Sequence, residues 1–211
     1  MNFRNKNAGD ILLKIIRTIQ QNKDYLSEID GKIGDGDHGV NMNKGFTLCE
    51  ERLKGNTYSL SEGFSVLSRT LMDDIGGSMG PLYGVFFDEL ASECTEVIDA
   101  GVFRDMLNAA LAGIQDIGNA KQGDKTLIDT LIPAIDSYSK SLAEGENFSS
   151  SLDSLKRGAA SGWKSTEDMI AKIGRASRLG ERSRGVLDAG ATSCYFILIA
   201  LADGIRTQLL K

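Results

Sequence analysis

Residues 30–45 read DGKIGDGDHGVNMNKG. Its first ten residues, Asp30 to Gly39, hold three aspartates, the chain's one histidine and four glycines. Asp30, Asp35 and Asp37 repel one another in so flexible a segment, and its glycines make it costly to order. A positive partner is therefore expected between them. Directly after His38-Gly39, the apolar positions Met42, Phe46, Cys49 and Leu53 recur at helical spacing, so the loop delivers the chain into a helix N-terminus.

The same period extends in both directions. Ile11, Leu12, Ile15, Ile16 and Ile19 form one apolar stripe, which predicts a first helix from Asp10 to about Ser27. Further helices are expected from Ser61 to a stop at Gly76-Gly77, from Met79 or Gly80 to about Ile98, and from Val102 to Ile117. Three more are expected over Thr126–Ala143, Phe148–Lys172 and Ala191–Leu210. No alternating strand pattern of useful length occurs. The expected fold is all-α, an eight-helix antiparallel barrel or bundle forming a single domain over residues 1–211. Pro133 is expected to bend its helix or to stand in the first turn of a broken one. The last helix, apolar almost all round, is expected to lie deep in the bundle.

Composition narrows the function classes. The formal net charge of -5 and pI near 5.0 argue against a broad nucleic-acid-binding surface. The N-terminus has no apolar stretch of signal-peptide length, and Cys49, Cys94 and Cys194 are an odd number at long spacings. Both features suit a reduced, cytoplasmic protein. The run CYFILIALA is far shorter than the roughly 20 residues that cross a bilayer, so no membrane span is predicted.

Unusual residues cluster between helices. GKIGDGDHG, GGSMGPLYG, GNAKQGDKT and GRASRLGERSRGVLDAGATS each precede every second helix. In an up-and-down bundle every second turn falls at the same end. That places glycine loops, helix N-termini, aspartates and cations on one rim. Helix N-termini offer free N–H groups and partial positive charge to phosphate, while clustered carboxylates suit Mg²⁺, which takes carboxylate and phosphate oxygens together. The alternative is a solvated acidic loop in which Asp37 caps the helix. Calcium is poorly served, because position twelve counted from Asp35 is Phe46 where a bidentate Glu is needed. One histidine and no C-x-x-C pair disfavour zinc. GNAKQGDKT resembles a phosphate loop but inserts Asp124 before Lys125 and follows a helix where a strand is required. His38 is read as a positioning or hydrogen-bonding group at least as readily as a proton carrier. Among Arg175, Arg178, Arg182 and Arg184, one or two could stabilise phosphate charge, the rest being surface arginines paired with acids such as Glu181. Trp163 is read as packing.

Four segments in series, IGDGDHGVNM, GGSMGPLYG, GDKTLIDTLIPA and GRASRLGERSRG followed by DAGATS, resemble the nucleotide-binding L subunit of dihydroxyacetone kinase over nearly the whole chain. The resemblance implies an eight-helix barrel that binds ADP or ATP at one end through two Mg²⁺ ions held by Asp30, Asp35 and Asp37. It further implies nucleotide contacts from His38, Gly39, Val40, Asn41, Ser78, Met79, Gly118, Ile128, Arg175, Asp188, Ala189 and Gly190, with Arg175 stabilising phosphate charge. In that family a separate subunit holds the sugar covalently, and the L subunit brings the γ-phosphate to it. ADP is recharged in place by a phosphoenolpyruvate-dependent phosphotransferase subunit in one form, and free ATP is used in the other; a chain of this length fits the first. Family members are also implied to act as ADP/ATP sensors that bind a transcription regulator. Val186 and Ala189 stand where the family pattern has His and Pro, and Arg178 where an aromatic is usual. These departures leave the ketose, dihydroxyacetone or a relative such as a tetrulose, and the phosphate donor open.

Overall fold

The isoleucine stripe folds into helix α1 (Asp10–Gln21), with Ile11, Leu12, Ile15, Ile16 and Ile19 buried. The computed structural model describes residues 1–211. The first expected helix is in fact two. Asn22 Nδ2 donates to the Thr18 carbonyl at 2.8 Å, and this local competition for backbone groups interrupts the ladder. Helix α2 (Lys23–Ile33) then carries the chain onward, so Asp30 sits on the last turns of a helix and not in the loop. Helices α3 (His38–Leu53) and α4 (Leu60–Asp74) follow, α4 opened by a capping box between Ser59 and Glu62.

Helix α5 (Met79–Ser92) ends earlier than its apolar pattern suggests. Residues Val97–Asp99 instead form strand β2, which pairs antiparallel with β1 (Asn2–Arg4). Three residues are too few for an alternation to be legible, yet the pairing of Phe3 with Ile98 buries both. Helices α6 (Ala100–Gly118), α7 (Ile128–Ala143), α8 (Phe148–Ser165) and α9 (Ala189–Leu209) complete the chain. The helix expected to reach Lys172 stops at Ser165, where Ser165 Oγ and Thr166 Oγ1 donate to the Gly162 and Trp163 carbonyls.

Helices α1, α9, α8, α7, α6, α5, α4 and α3 pack in that order, and α3 returns to α1. The ring is closed: an all-α, eight-helix barrel, with α2 extending α1 alongside α3 and α9. A continuous core of 44 buried residues, from Phe3 to Ile205, fills it. By length and composition α9 could cross a bilayer, but 67% of its apolar window is buried inside the bundle. Pro133 stands within α7, which continues through it. Lacking an N–H, Pro133 leaves the Asp129 carbonyl without its helical donor. A Cβ on Gly162 would lie 2.2 Å from that oxygen, and one on Gly158 would lie 2.2 Å from the Pro133 carbonyl, so these two glycines let α8 lie directly on the α7 backbone.

Candidate functional site

One end of the barrel opens into a cavity of about 710 Å³. The first residues of four helices, His38 of α3, Met79 of α5, Ile128 of α7 and Ala189 of α9, all line it. The parity expected of an up-and-down bundle is thus realised: four helix N-termini, each with the partial positive charge of its helix, meet at one space.

Asp30, Asp35 and Asp37 stand on one wall, each offering a carboxylate oxygen within 4.8 Å of the others. Local backbone geometry sets this up. Gly36 has a φ of +76°, and a Cβ on Gly34 would lie 2.4 Å from Asp30 Oδ1, so the turn from α2 into α3 closes only with glycine at both positions. Asp30 Oδ2 accepts from the His38 backbone N–H at 3.3 Å. Asp37 precedes α3 but makes no side-chain capping bond, so the capping alternative for this aspartate does not hold. Arg175 reaches across from the far side, its guanidinium against the Asp35 carboxylate and 3.9 Å from Asp37.

Asn41, Ser78, Gly118, Asp188 and Gly190 also face the cavity, as do Leu82, Ile114, Ile117 and Ile173, which give it an apolar flank. Gly39 and Val40 do not line it. Gly39 is buried against α2, where a Cβ would lie 2.0 Å from the Lys23 carbonyl, and the Val40 side chain is exposed to solvent. Of the four arginines in the 175–184 segment, only Arg175 lines the cavity; Arg184 bonds the Asp168 carbonyl and Glu181. Trp163 lies outside, stacked on Tyr195 at 4.5 Å with Nε1 donating to Thr192 Oγ1.

Tyr83, Ser193 and Asp129, none of them among the expected site residues, tie this end of the barrel together. His38 Nε2 lies 2.9 Å from Ser193 Oγ, which lies 2.6 Å from Tyr83 Oη, and Tyr83 donates to the Gly190 carbonyl. Burial pushes the His38 imidazole down to about 4 against the opposing charge of Asp30, so the ring is neutral at pH 7 and hydrogen-bonds as a neutral group. Asp188 caps α9 through the Ala191 N–H at 2.7 Å, and burial pushes its carboxyl up to about 7. Asp129, buried, accepts from the Gly123 and Thr126 N–H groups and shapes the loop before α7. Hydroxyls within apolar helices carry no period of their own, and only contact reveals them, whereas Asp188 is among the residues that the family resemblance implies.

An all-α barrel that gathers helix N-termini, three carboxylates and an arginine at one rim carries the donor types that suit phosphate and a divalent cation. Residues 32–203 match the DAK2 domain model. The chain is 37% identical, over 90% of its own length and 92% of the relative's, to the ADP-binding subunit DhaL of the PTS-dependent dihydroxyacetone kinase of Lactococcus lactis. It is 36% identical, over 85% and 87%, to the ADP-binding subunit DhaL of the PEP-dependent kinase of Escherichia coli. The solved structure of the C. freundii dihydroxyacetone kinase in complex with AMP-PNP and Mg²⁺ superposes with a TM-score of 0.69 at 25% identity. That match covers 93% of this chain and 33% of the larger kinase. The chain belongs to the DAK2 family, among the L subunits of dihydroxyacetone kinases.

Proposed function

We propose that this chain is the nucleotide-binding, phosphoryl-transferring subunit of a kinase for dihydroxyacetone or a closely related short ketose. One observation carries the reading: four helix N-termini, three mutually close carboxylates and one arginine share a single cavity. We take the whole chain as one nucleotide-binding unit of the cytoplasm.

The donor set fits magnesium. Three hard carboxylate oxygens lie within reach of one ion, and Arg175 already places positive charge among them. Asp30, Asp35 and Asp37 would hold two Mg²⁺ ions, which supply charge neutralisation to bound phosphates. The N–H groups at Met79 and Ala189 offer donors to phosphate oxygens, those of His38 and Ile128 being taken by Asp30 Oδ2 and Thr126 Oγ1, with Asn41, Ser78, Asp188 and Gly190 completing the polar lining. Gly118 and the apolar flank of Leu82, Ile114 and Ile128 suit a nucleoside. Neutral His38 orients rather than exchanges protons, and Arg175 stabilises the transferring phosphate. The chain provides no nucleophile: the sugar would sit on a separate sugar-binding subunit docked at this rim. The close match in extent to PTS- and PEP-dependent subunits supports a phosphotransferase-system protein as the phosphoryl donor that recharges resident ADP.

A second reading, free ATP as donor and a tetrulose as acceptor, is favoured by Ala189 at the first turn of α9 and Val186 beside it, where the family pattern has Pro and His. Nucleotide content decides between them. Denaturing the purified protein and chromatographing the supernatant should release near-stoichiometric ADP that exchanges slowly with labelled ATP. An empty or rapidly exchanging site would overturn the resident-cofactor form in favour of free ATP.

A further inference from the structure

Lys125 is the lysine of the GDKT segment and borders the cavity, but its ammonium is engaged by backbone carbonyls of its own chain. It is 1% exposed, and its three protons are spent on three backbone carbonyls: Ser183 and Val186 at 2.6 Å each and Met169 at 3.2 Å. Those carbonyls bracket the segment that carries Arg175. Met169 lies six residues before it; Ser183 ends the 3₁₀ stretch Arg175–Ser183, and Val186 follows three residues later.

That segment is otherwise held by polar ties, among them the Gly185 N–H to the Glu167 carbonyl and Arg184 Nη1 to the Asp168 carbonyl, both at 2.7 Å, and Arg175 against Asp35. Between Met169 and Asp188 only Ala171 and Ser183 are buried, so burial of apolar surface cannot fix its place. Polar ties do so instead. Besides the Lys125 ammonium, the Lys172 N–H donates to the Asp124 carbonyl at 3.1 Å, Lys172 Nζ lies 3.4 Å from Asp124 Oδ1, and the Ala171 N–H donates to Ser183 Oγ. Lys125 itself is held in a left-handed conformation, φ +64°, by the Asp129 carboxylate, which accepts from Gly123 and Thr126 on either side of it. A lysine in that conformation is unfavourable unless its surroundings impose it. The backbone is strained in the direction that sends the ammonium into its carbonyl cage.

We propose that Lys125 is a positioning residue: it clamps both ends of the 169–186 segment to the N-terminus of α7 and so sets where Arg175 meets the acid cluster. The inference rests on the reading of Arg175 as the phosphate-stabilising group. It gives the phosphate-loop-like lysine a different task, reading backbone carbonyls of its own chain.

Lys125→Met keeps the side chain's length and removes the donors. Trypsin has targets at Arg175, Arg178, Arg182 and Arg184 in this segment. The variant should be cut there at least about tenfold faster than the parent while the rest of the barrel stays intact; an unchanged cleavage rate would overturn the clamp. In phosphoryl transfer, kcat should fall about tenfold or more with ADP affinity changed less than about threefold. Added to Arg175→Gln, Lys125→Met should cost nothing further, because it acts through that arginine. Additive losses would refute the positioning role. Should Lys125→Met not fold, amide exchange on the unaltered protein takes its place: protected N–H groups at Ala171, Lys172 and Gly185 support the clamp, and exchange at the free-chain rate overturns it. If neither parent nor variant transfers phosphate, the kinase reading fails, and the trypsin result still decides the role of Lys125.

Discussion

The Arg175 guanidinium rests against the Asp35 carboxylate and lies 3.9 Å from Asp37, so the acid cluster carries a cation supplied by its own chain. A divalent ion among the same oxygens competes with that guanidinium. Both partners are about half exposed, 59% for Arg175 and 46% for Asp35, so the pair is worth at most about 1 kcal/mol. Arg175→Gln should therefore bind Mg²⁺ alone more tightly, by about threefold to fivefold in calorimetric titration. The same variant should lose about a thousandfold in phosphoryl transfer, the scale on which an arginine stabilises a transferring phosphate. Opposite signs in binding and turnover distinguish a displaced counter-ion from a merely structural arginine. Weaker Mg²⁺ binding by the variant would rule the competition out.

Asp35→Asn and Asp37→Asn test the metal assignment directly. Neither aspartate makes a helix-capping bond that the fold depends on, since α3 begins at His38 without a side-chain cap. Each variant should keep its helical circular dichroism and lose nucleotide affinity by about a hundredfold, the cost of removing one charged ligand from a site of three. Normal ADP binding by either variant would end the magnesium reading.

Much of this was legible in the sequence because helical period and glycine spacing are long-range signals. The stripe from Ile11 to Ile19 and the parity of the four glycine-rich connections led to one barrel with its loops gathered at one end, and α3, α5, α7 and α9 do begin there. Boundaries failed where short polar side chains compete with the backbone: Asn22 split the first helix, and Ser165 and Thr166 ended α8 early. The β1–β2 pair was invisible, being three residues on each side and separated by most of a hundred positions. Within the site, charge and glycine mark Asp30, Asp35, Asp37 and the four arginines from Arg175 to Arg184, among which the family resemblance singles out Arg175. Tyr83, Ser193 and Asp129 carry no such mark, since their roles exist only through partners distant in sequence. Lys125 stands in a stretch that resembles a phosphate loop, but its ammonium contacts are backbone carbonyls of its own chain.

The α7–α8 seam gives a stability prediction with its own control. Ala at 162 would place a methyl 2.2 Å from the Asp129 carbonyl and 3.0 Å from Pro133 Cγ, a contact with backbone that cannot yield without moving a helix. Gly162→Ala should destabilise by about 2–4 kcal/mol, overriding the helix-propensity gain of about 1 kcal/mol. For a chain of this size the melting temperature should drop by about 5–15 °C. Gly76 meets nothing within 4 Å and has an ordinary φ, so Gly76→Ala should be neutral or raise it slightly. Equal melting temperatures for the parent and Gly162→Ala would mean that the two helices are not in this close register.

Asp188 links the site to pH. Burial, above all, pushes its carboxyl from 3.8 up to about 7, with Asp129 and Asp30 adding repulsion and the Ala191 N–H and Lys125 opposing the rise. The folded protein therefore holds this proton where the unfolded chain has already released it, from about pH 4 to pH 7. Proton uptake by the folded form stabilises it at low pH, and that stabilisation is lost as pH climbs through the window. Asn at this position stays neutral throughout and keeps an Oδ1 to accept from Ala191, so it preserves the cap and removes the titration. Asp188→Asn should match the parent near pH 4 and surpass it by an amount on the order of 1–2 kcal/mol at pH 8. Urea unfolding midpoints at pH 4.5, 6, 7 and 8 measure the gap. A gap that is constant across this range, or widest in acid, would show that the carboxyl is ionised throughout and that the α9 N-terminus, with its free N–H groups facing the cavity, outweighs its burial.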